Sequence, residues 1–342
     1  MGPISSSMEV EVFGNPFVTD PFAFLHSRKR LAYGNEERAP MTTSGERIAS
    51  RCVCCQSDNL QKSPAILMPF IAKRTFGWEP AQITEDWNLH DIKTGMAYPL
   101  CNSVRCASCG LVFLDIRFND SEMASLYSGY RGKEYTALRE RFEPGYASRA
   151  VIIAQGATHI PKVEAFLSAY VNSRPRLLDW GGDTGFNTPF KSQCSVFHVY
   201  DISNQPVVDG ASRVDKRTVE GTDYDLIVLS HVLEHLPYPD DAISEIASVM
   251  KPETVLYIEV PHEDLMRLNH GATDTHTKKK YWHEHINFFT QDSLLALLER
   301  CGLRALGMQS IEAEGGGKHW HISSIACSLQ PPNVNTLADS AS

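Results

Sequence analysis

The stretch Leu177-Leu178-Asp179-Trp180-Gly181-Gly182-Asp183-Thr184-Gly185-Phe186 decides the fold of this 342-residue chain. It predicts a short apolar strand with a carboxylate near its end, then a glycine-rich turn and the start of a helix. In open α/β sheets, ligands bind just beyond the carboxyl ends of the parallel strands. Glycine has no Cβ, so its backbone can approach a ligand closely. The stretch therefore predicts a ligand site at the end of the first strand of a parallel sheet.

A second carboxylate, Asp201, lies 22 residues beyond Asp179, at the end of the next apolar run. A carboxylate at this spacing can accept hydrogen bonds from both hydroxyls of a ribose. Asp183 stands where a second glycine is needed to admit a pyrophosphate, and two carboxylates would repel one. The two strand ends therefore favour a nucleoside that lacks phosphates and carries a positive charge, which describes S-adenosylmethionine.

The glycine-rich stretch resembles motif I of the class I S-adenosylmethionine-dependent methyltransferases, usually written LD-x-G-x-G-x-G. The sequence departs from that motif at Asp183. The resemblance implies a Rossmann-like α/β sheet with S-adenosylmethionine as the cofactor. The residues expected to hold this cofactor are Asp179, Gly181, Gly182, Asp183, Gly185, Asp201, Ile202, Ser230, His231 and, folding over it from a preceding linker, Tyr130.

The composition of the chain indicates which binding partners and which cellular location to expect. The formal net charge is −9 and the isoelectric point about 5.8. A surface that binds nucleic acid by neutralising phosphates should be basic, so no nucleic-acid partner is expected. No apolar run approaches the ~20 residues that span a bilayer, and the N-terminus lacks a signal-peptide pattern. Clustered cysteine pairs without an export signal suit metal better than disulfides, which predicts a cytoplasmic protein.

The chain divides into five segments by composition and periodicity. We expect an irregular or flexible arm over residues 1–48, a zinc-binding module over 49–117, a helical linker or lid over 118–172, an S-adenosylmethionine-binding methyltransferase domain over 173–329 and a disordered tail over 330–342.

Alternating strands and helices after residue 173 predict a mostly parallel sheet. A closing pair of long apolar runs predicts an antiparallel last strand. The predicted strands are 176–180, 196–201, 217–219, 225–230, 254–260, 303–311 and 321–329, with helices at 240–250 and 291–301.

Two CxxC pairs in the N-terminal half predict a metal site. Cys52 and Cys55 form one pair, and Cys106 and Cys109 form the other, about fifty residues later. Four thiolates complete a zinc tetrahedron and leave no open position, so the site should be structural. Either Cys54 or Cys101 could replace a neighbour as a ligand. The run Arg105–Val112 resembles the N-terminal zinc module of sugar C-methyltransferases and related carbohydrate-cluster methyltransferases.

Two histidine-containing segments follow predicted strands. Ser230–Leu236 resembles the H-x-LEH stretch of many class I methyltransferases, which puts His231 beside the cofactor; Glu234 and His235 are expected to open a helix. Tyr281–Phe289 resembles the Y-HEH segment of sugar C-methyltransferases, although Trp282 separates Tyr281 from the HEH triplet.

The second segment supplies the expected catalytic residues. His285 is the predicted general base, since imidazole titrates near neutral pH, and Glu284 is expected to orient it or to bind the acceptor. His283 and His231 are rivals for the base, and a catalytic role for Tyr281 is open. A metal ion on His283 and His285 is an alternative interpretation.

The sequence favours methyl transfer to a small polar acceptor, such as a sugar, a nucleotide sugar or another biosynthetic metabolite. The alternatives are an RNA methyltransferase with a zinc module, for which Lys278-Lys279-Lys280 is a dense basic run, and a non-catalytic cofactor-binding regulator. The acceptor atom and the oligomeric state do not follow from the residues.

Overall fold

The structure is a computed structural model that describes residues 46–89, 91–92, 94–148, 156–203, 205–315 and 318–331. Most of the predicted arm and all of the predicted tail after residue 331 lie outside the described residues. The strands are β1 (Leu60–Leu67), β2 (Ala81–Ile83), β3 (Gly95–Ala97), β4 (Leu100–Cys106), β5 (Val112–Leu114), β6 (Arg176–Trp180), β7 (Val196–Tyr200), β8 (Ser212–Arg213), β9 (Leu226–Ser230), β10 (Val255–Pro261), β11 (Tyr281–Trp282), β12 (Asn287–Phe288), β13 (Leu303–Gly315) and β14 (Lys318–Leu329). The helices are α1 (Pro69–Phe76), α2 (Asp120–Tyr127), α3 (Lys133–Phe142), α4 (Ile160–Leu167), α5 (Lys216–Glu220), α6 (Pro239–Val249), α7 (Asp264–Leu268), α8 (Thr275–Lys278) and α9 (Gln291–Arg300).

A seven-stranded sheet forms the centre of the C-terminal half. Its strand order is β13-β14-β10-β9-β6-β7-β8, and the five strands from β10 to β8 run parallel. Strand β14 pairs antiparallel with β10 and with β13. The predicted mostly parallel sheet with an antiparallel last strand is therefore confirmed. Because β6, β7, β9 and β10 end at the same edge, the side chains that follow them can converge on one ligand.

The predicted third strand at 217–219 is wrong. The strand that follows β7 is β8, at Ser212–Arg213, and residues Lys216–Glu220 form helix α5 instead. The side chain of Asp215 accepts a hydrogen bond from the Thr218 amide and caps this helix. The N-cap satisfies a free amide of the first turn, which outweighs the strand preference of the β-branched pair Thr218-Val219.

A second sheet combines residues from distant parts of the chain. Its strand order is β11-β1-β4-β5-β12. Strand β11 pairs parallel with β1, and β12 pairs antiparallel with β5. Residues 281–288 therefore supply both edge strands of the sheet that the N-terminal segment begins. The four residues between them, His283 to Ile286, run from one edge to the other.

Helices α2 and α3 cover this second sheet. A capping box at Asn119 and Glu122 begins α2, and its buried side chains Met123 and Leu126 join a core cluster with Phe70 and Trp282. This packing brings the loop between α2 and α3 toward the 281–288 segment. In the part of the chain that the structure describes, no helix has the length and apolar character needed to cross a membrane.

Candidate active site

The glycine-rich turn lies directly over a buried carboxylate. Asp179, on β6, is 5% exposed and accepts a hydrogen bond from the Thr188 hydroxyl. A Cβ on Gly182 would lie 2.2 Å from the Asp179 carboxylate, so only glycine fits at that position. Burial raises the pKa of Asp179 to about 7. The Gly181 amide donates to the carbonyl of Tyr200, which joins the turn to the end of β7.

Asp201 and Asp183 hold each other in place at this edge. One carboxylate oxygen of Asp201 accepts from the Asp183 amide at 2.9 Å, and Ser203 donates to the Asp183 carboxylate at 2.8 Å. Asp183 has φ +53°, a left-handed conformation that aspartate tolerates better than most residues. The neighbouring Ile202 is 44% exposed at the same edge. Asp183, the residue that departs from the glycine motif, is therefore held in the turn by defined hydrogen bonds.

Arg131 links the helical segment to this turn. Its guanidinium lies 3.6 Å from the Asp183 carboxylate and 4.9 Å from the centre of the Tyr130 ring. Arg131 therefore contacts the turn directly. Tyr130, which is predicted to fold over the cofactor, is its neighbour in the sequence.

The imidazole of His231 lies between two buried carboxylates. Its Nδ1 is 3.2 Å from Glu234 and its Nε2 is 3.0 Å from Glu259, and both carboxylates are 2% exposed. Burial favours the neutral ring, but the two carboxylates outweigh it and raise the pKa of His231 to about 10. The ring is therefore protonated near neutral pH, and both of its nitrogens donate.

Glu259 is the centre of that network. It also accepts from His159 at 3.0 Å, from the Ser230 hydroxyl at 3.1 Å and from Tyr257 at 2.7 Å. Burial opposes its ionisation, but His159 and His231 lower the pKa of Glu259 well below the usual range. Glu259 was not among the predicted site residues. Its position inside an otherwise apolar strand is the feature of the sequence that could have identified it.

The HEH triplet is organised by two oppositely charged partners. Glu284 accepts from Arg139, on α3, at 2.6 Å, and His285 Nδ1 lies 2.7 Å from Glu263. Burial opposes ionisation of Glu284, but Arg139 and the adjacent histidines hold its pKa at about 2. Burial favours neutral His285, but the hydrogen bond to Glu263 raises the pKa of this ring above its ordinary value.

His283 has the opposite character. Its Nδ1 accepts a hydrogen bond from the His285 amide at 3.1 Å, so the ring proton resides on Nε2. Burial, together with the charges of His285 and Lys279, lowers the pKa of His283 to about 3. The two histidines of the triplet are therefore electrostatically distinct, with His283 a neutral donor and His285 the more basic ring.

His235 brings the two histidine segments together. Its ring lies 4.8 Å from that of His285, and its Nδ1 is 3.0 Å from both the Tyr127 hydroxyl and the Glu284 carbonyl. The expectation that Glu234 and His235 open a helix is wrong, because α6 begins only at Pro239. These two residues lie in a turn, and the Glu234 carbonyl accepts from the amides of residues 286 and 287.

A cluster of aromatic side chains lines the same region. The rings of Tyr127, Tyr130, Tyr135 and Tyr146 contact one another in sequence at centroid distances of 5.5, 5.4 and 6.4 Å. Tyr281, in contrast, is 41% exposed on edge strand β11. The four tyrosines of the helical segment therefore contact one another, and Tyr127 contacts His235 beside the HEH triplet. Tyr281 does not belong to this cluster.

Arg139, Glu263 and Tyr127 were missed by the sequence analysis. Arg139 precedes Glu284 by 145 positions, and Glu263 precedes His285 by 22. No sequence motif spans either separation, so the local sequence could not identify these partners.

The four predicted cysteine ligands come together. The Sγ atoms of Cys52, Cys55, Cys106 and Cys109 lie within 4.8 Å of one another, and two of the separations are 3.5 Å. A zinc tetrahedron with Zn–S bonds of about 2.3 Å has edges of about 3.8 Å, so the donor set and its size fit zinc. Cys54 and Cys101 are both buried and lie outside this group.

Two further groups among the described residues have ligand atoms within 4.8 Å. They are Glu234 with His235 and His285, and Glu263 with His283 and His285. Because His283 Nδ1 accepts the His285 amide, only its Nε2 is left for a metal. The hydrogen bonds within the second group already account for one nitrogen of each histidine.

Comparison with known proteins identifies the catalytic class. Residues 154–306 match the model of a family described as a methyltransferase domain. No curated protein matches the chain. The match contains the glycine-rich turn, both histidine segments and strands β6 to β12. The protein is a methyltransferase enzyme.

Several solved structures are similar over part of the chain. They include the 1,6-didemethyltoxoflavin-N1-methyltransferase of Burkholderia thailandensis with bound 1,6-didemethyltoxoflavin and S-adenosylhomocysteine (18% identity over 57% of this chain and 89% of that chain, TM-score 0.38), a SAM-dependent methyltransferase from Methanosarcina mazei (17% identity, 48% and 98%, TM-score 0.34) and the N-methyltransferase NodS from Bradyrhizobium japonicum (15% identity, 51% and 94%, TM-score 0.34).

Proposed function

We propose that this methyltransferase transfers the methyl group of S-adenosylmethionine to a small polar acceptor, such as a sugar, a nucleotide sugar or another biosynthetic metabolite. The observation that carries the proposal is the 2.7 Å contact between His285 Nδ1 and Glu263. A neutral hydroxyl or carbon acid needs a base, and a carboxylate-oriented imidazole is suited to that role.

The donor site in this proposal is the edge where β6, β7 and β9 end. S-adenosylmethionine supplies an activated methyl group on a sulfonium centre. Asp201 accepts the ribose hydroxyls, while Gly181 and Gly182 keep the turn free of side chains. The carboxylates of Asp201 and Asp183 lie at this edge, which suits a cationic ligand and opposes a diphosphate, while the buried Asp179 lies beneath the turn at Gly182. The remaining cofactor contacts in the proposal are Gly185, Ile202, Ser230, His231 and Tyr130.

His285 is the general base in this mechanism. Its Nδ1 donates to Glu263, which leaves Nε2 with a lone pair for the acceptor proton. His231 is unsuited to the role because both of its nitrogens donate to carboxylates. We therefore assign His231 to orienting the cofactor edge, through its buried partners Glu234 and Glu259.

Glu284 and His283 bind the acceptor in this proposal. Arg139 occupies Oε1 of Glu284, whereas Oε2 is buried and has no hydrogen-bond partner among the described residues. An unpaired buried carboxylate oxygen is costly, and a hydroxyl of the acceptor would satisfy it. The Nε2 proton of His283 offers a complementary donor to an acceptor oxygen.

Zinc on the four cysteines has a structural role in this account. The Thr290 hydroxyl, which caps α9, donates to the Cys109 carbonyl at 2.8 Å, and Arg300 donates to the Cys54 carbonyl at 2.7 Å. The metal would thereby stabilise the attachment of the N-terminal sheet to the methyltransferase domain. Reduced thiolates agree with a cytoplasmic location.

The test is a methyl-donor consumption assay with S-adenosylmethionine and a panel of neutral sugars, sugar phosphates, uronic acids and nucleotide sugars, with a transfer RNA pool as the comparison. We expect formation of S-adenosylhomocysteine with at least one small acceptor and none with RNA. Turnover of RNA alone would replace this proposal with the RNA alternative. Failure to bind the donor would overturn it.

A further inference from the structure

The three lysines of the basic run Lys278-Lys279-Lys280 have three different environments. Lys278 Nζ donates to Asn269 at 2.7 Å and pairs with Asp274 at 3.2 Å on the surface. Lys280 Nζ donates to the Ser63 hydroxyl at 3.0 Å. The run therefore does not form a single basic patch of the kind that follows a nucleic-acid backbone.

Lys279 has neither kind of contact. Its Nζ lies 4.2 Å from the centre of the Phe288 ring and 4.9 Å from that of Trp282. Among the described residues, no hydrogen bond or ion pair is formed by this ammonium. Burial lowers the pKa of Lys279 to about 8, although the charges of Glu263 and Glu284 oppose the shift. Lys279 is half-buried, and the contacts of its ammonium with the described residues are aromatic faces, so its three N–H donors have no acceptor among those residues and are available to an anion.

The ammonium also borders the candidate acceptor site. The Phe288 ring, over which the ammonium lies, is also in contact with the ring of His283, at a centroid distance of 6.1 Å. The charge of Lys279 contributes to the lowered pKa of His283. The other cation of this region, Arg139, is already bonded to Glu143 and Glu284. Among the described residues, Lys279 is thus a cation near the HEH triplet whose donors have no protein acceptor.

We propose that Lys279 binds an anionic group of the acceptor, a carboxylate or a phosphoryl group. The proposal rests on the methyl-transfer function above and narrows its substrate class to acidic small molecules. The anion would accept hydrogen bonds from the ammonium, and the Phe288 and Trp282 rings would hold the lysine side chain in place. The acceptor would then lie with its charged end at Lys279 and its reacting atom toward His285.

Lysine acetylation followed by mass spectrometry tests the site without a known substrate. The intact protein is treated with acetic anhydride at pH 8 in the presence of inorganic phosphate, acetate or glycerol at constant ionic strength. We expect phosphate or acetate, as charged partners of an ammonium, to slow acetylation of Lys279 by about threefold or more. Glycerol should have no effect, and Lys278 and Lys280 should react at unchanged rates. The phosphate and acetate arms distinguish the two sources of the anion.

Variants in the acceptor panel give a second readout. For an acidic acceptor, Lys279→Met should raise KM by about tenfold or more, since a charge-assisted contact is lost. Lys279→Arg should retain part of the affinity, and Lys278→Met is the matched control that should not change KM. Donor affinity, measured by calorimetry, reports folding of each variant.

Three results would overturn the proposal. They are equal protection of all three lysines, no protection of Lys279 by either anion, and a neutral acceptor whose KM is the same in Lys279→Met. A wild-type protein that fails to bind the donor would refute the methyl-transfer function instead, whatever the anions do.

Discussion

His285 Nδ1 lies 2.7 Å from Oε1 of Glu263, although 22 positions separate the two residues. Both side chains are about one quarter exposed, at 26% and 22%, so the pair is shielded but still open to an acceptor. The carboxylate fixes which ring nitrogen carries the proton and raises the pKa of the imidazole.

The pH dependence of turnover should report the Glu263–His285 pair. A base acts when it is neutral, so turnover should fall as the pH drops through the raised pKa of His285. In Glu263→Gln the imidazole loses its anionic partner, so the acidic limb should move to lower pH and the plateau should fall. Asp264→Asn is the control, since Asp264 is 73% exposed and its ion pair in the described part of the chain is with Arg267. If the acidic limb of the pH profile were identical in Glu263→Gln and the parent, Glu263 would not be the residue that sets the pKa of the base.

His231 should affect stability more than the chemical step. Its folded pKa of about 10 exceeds the ordinary value of 6.5. The stability it contributes is therefore fully present below pH 6.5 and lost as the pH rises through 10. His231→Asn leaves Glu234 and Glu259 short of a donor, which should cost about 1–3 kcal/mol at pH 6, reduced by solvent screening of the 40% exposed ring.

Denaturant unfolding of the parent and His231→Asn at pH 6 and at pH 10 checks this. The difference in unfolding free energy should shrink at the higher pH. A difference that grows with pH would mean that the ring is neutral in the folded protein.

Metal analysis should find near-stoichiometric zinc that is lost in Cys106→Ser. Each thiolate supplies one of four bonds, and a hydroxyl is a poor substitute. Cys101→Ser is the matched control, because Cys101 is buried but lies outside the four-cysteine group. Full zinc content in Cys106→Ser, or zinc-free protein that is folded, would exclude the proposed site.

Donor affinity should depend on Asp201. In Asp201→Ala the ribose loses its acceptor, and the turn loses the hydrogen bonds to the amides of Asp183 and Ser203. Since a hydrogen bond to a charged group contributes roughly 1.5–3 kcal/mol, calorimetry should find at least about a tenfold loss of affinity. Asp209→Ala, at an exposed position nearby, should bind the donor normally. Equal affinities in the two variants would remove Asp201 from the cofactor site.

The central strands of the seven-stranded sheet could be predicted because each is long enough to form a recognisable apolar run in the sequence. Strand β6 occupies the predicted residues, and the predicted β7, β9 and β10 agree within one residue at each end. The two-residue strands β11 and β12 have no periodicity, so the sequence could not indicate that the HEH segment closes a second sheet. The motifs marked His283, Glu284 and His285, but their chemical differences come from Arg139 and Glu263, which only the tertiary structure brings close.

The most direct test of the account is turnover at saturating donor in His285→Asn, His283→Asn and His231→Asn, with donor affinity measured in parallel. Removal of a general base should lower turnover by about 10²–10⁴-fold. The account predicts that loss in His285→Asn with donor affinity unchanged. Normal turnover in His285→Asn together with a loss of this size in His231→Asn would contradict it and place the base after β9.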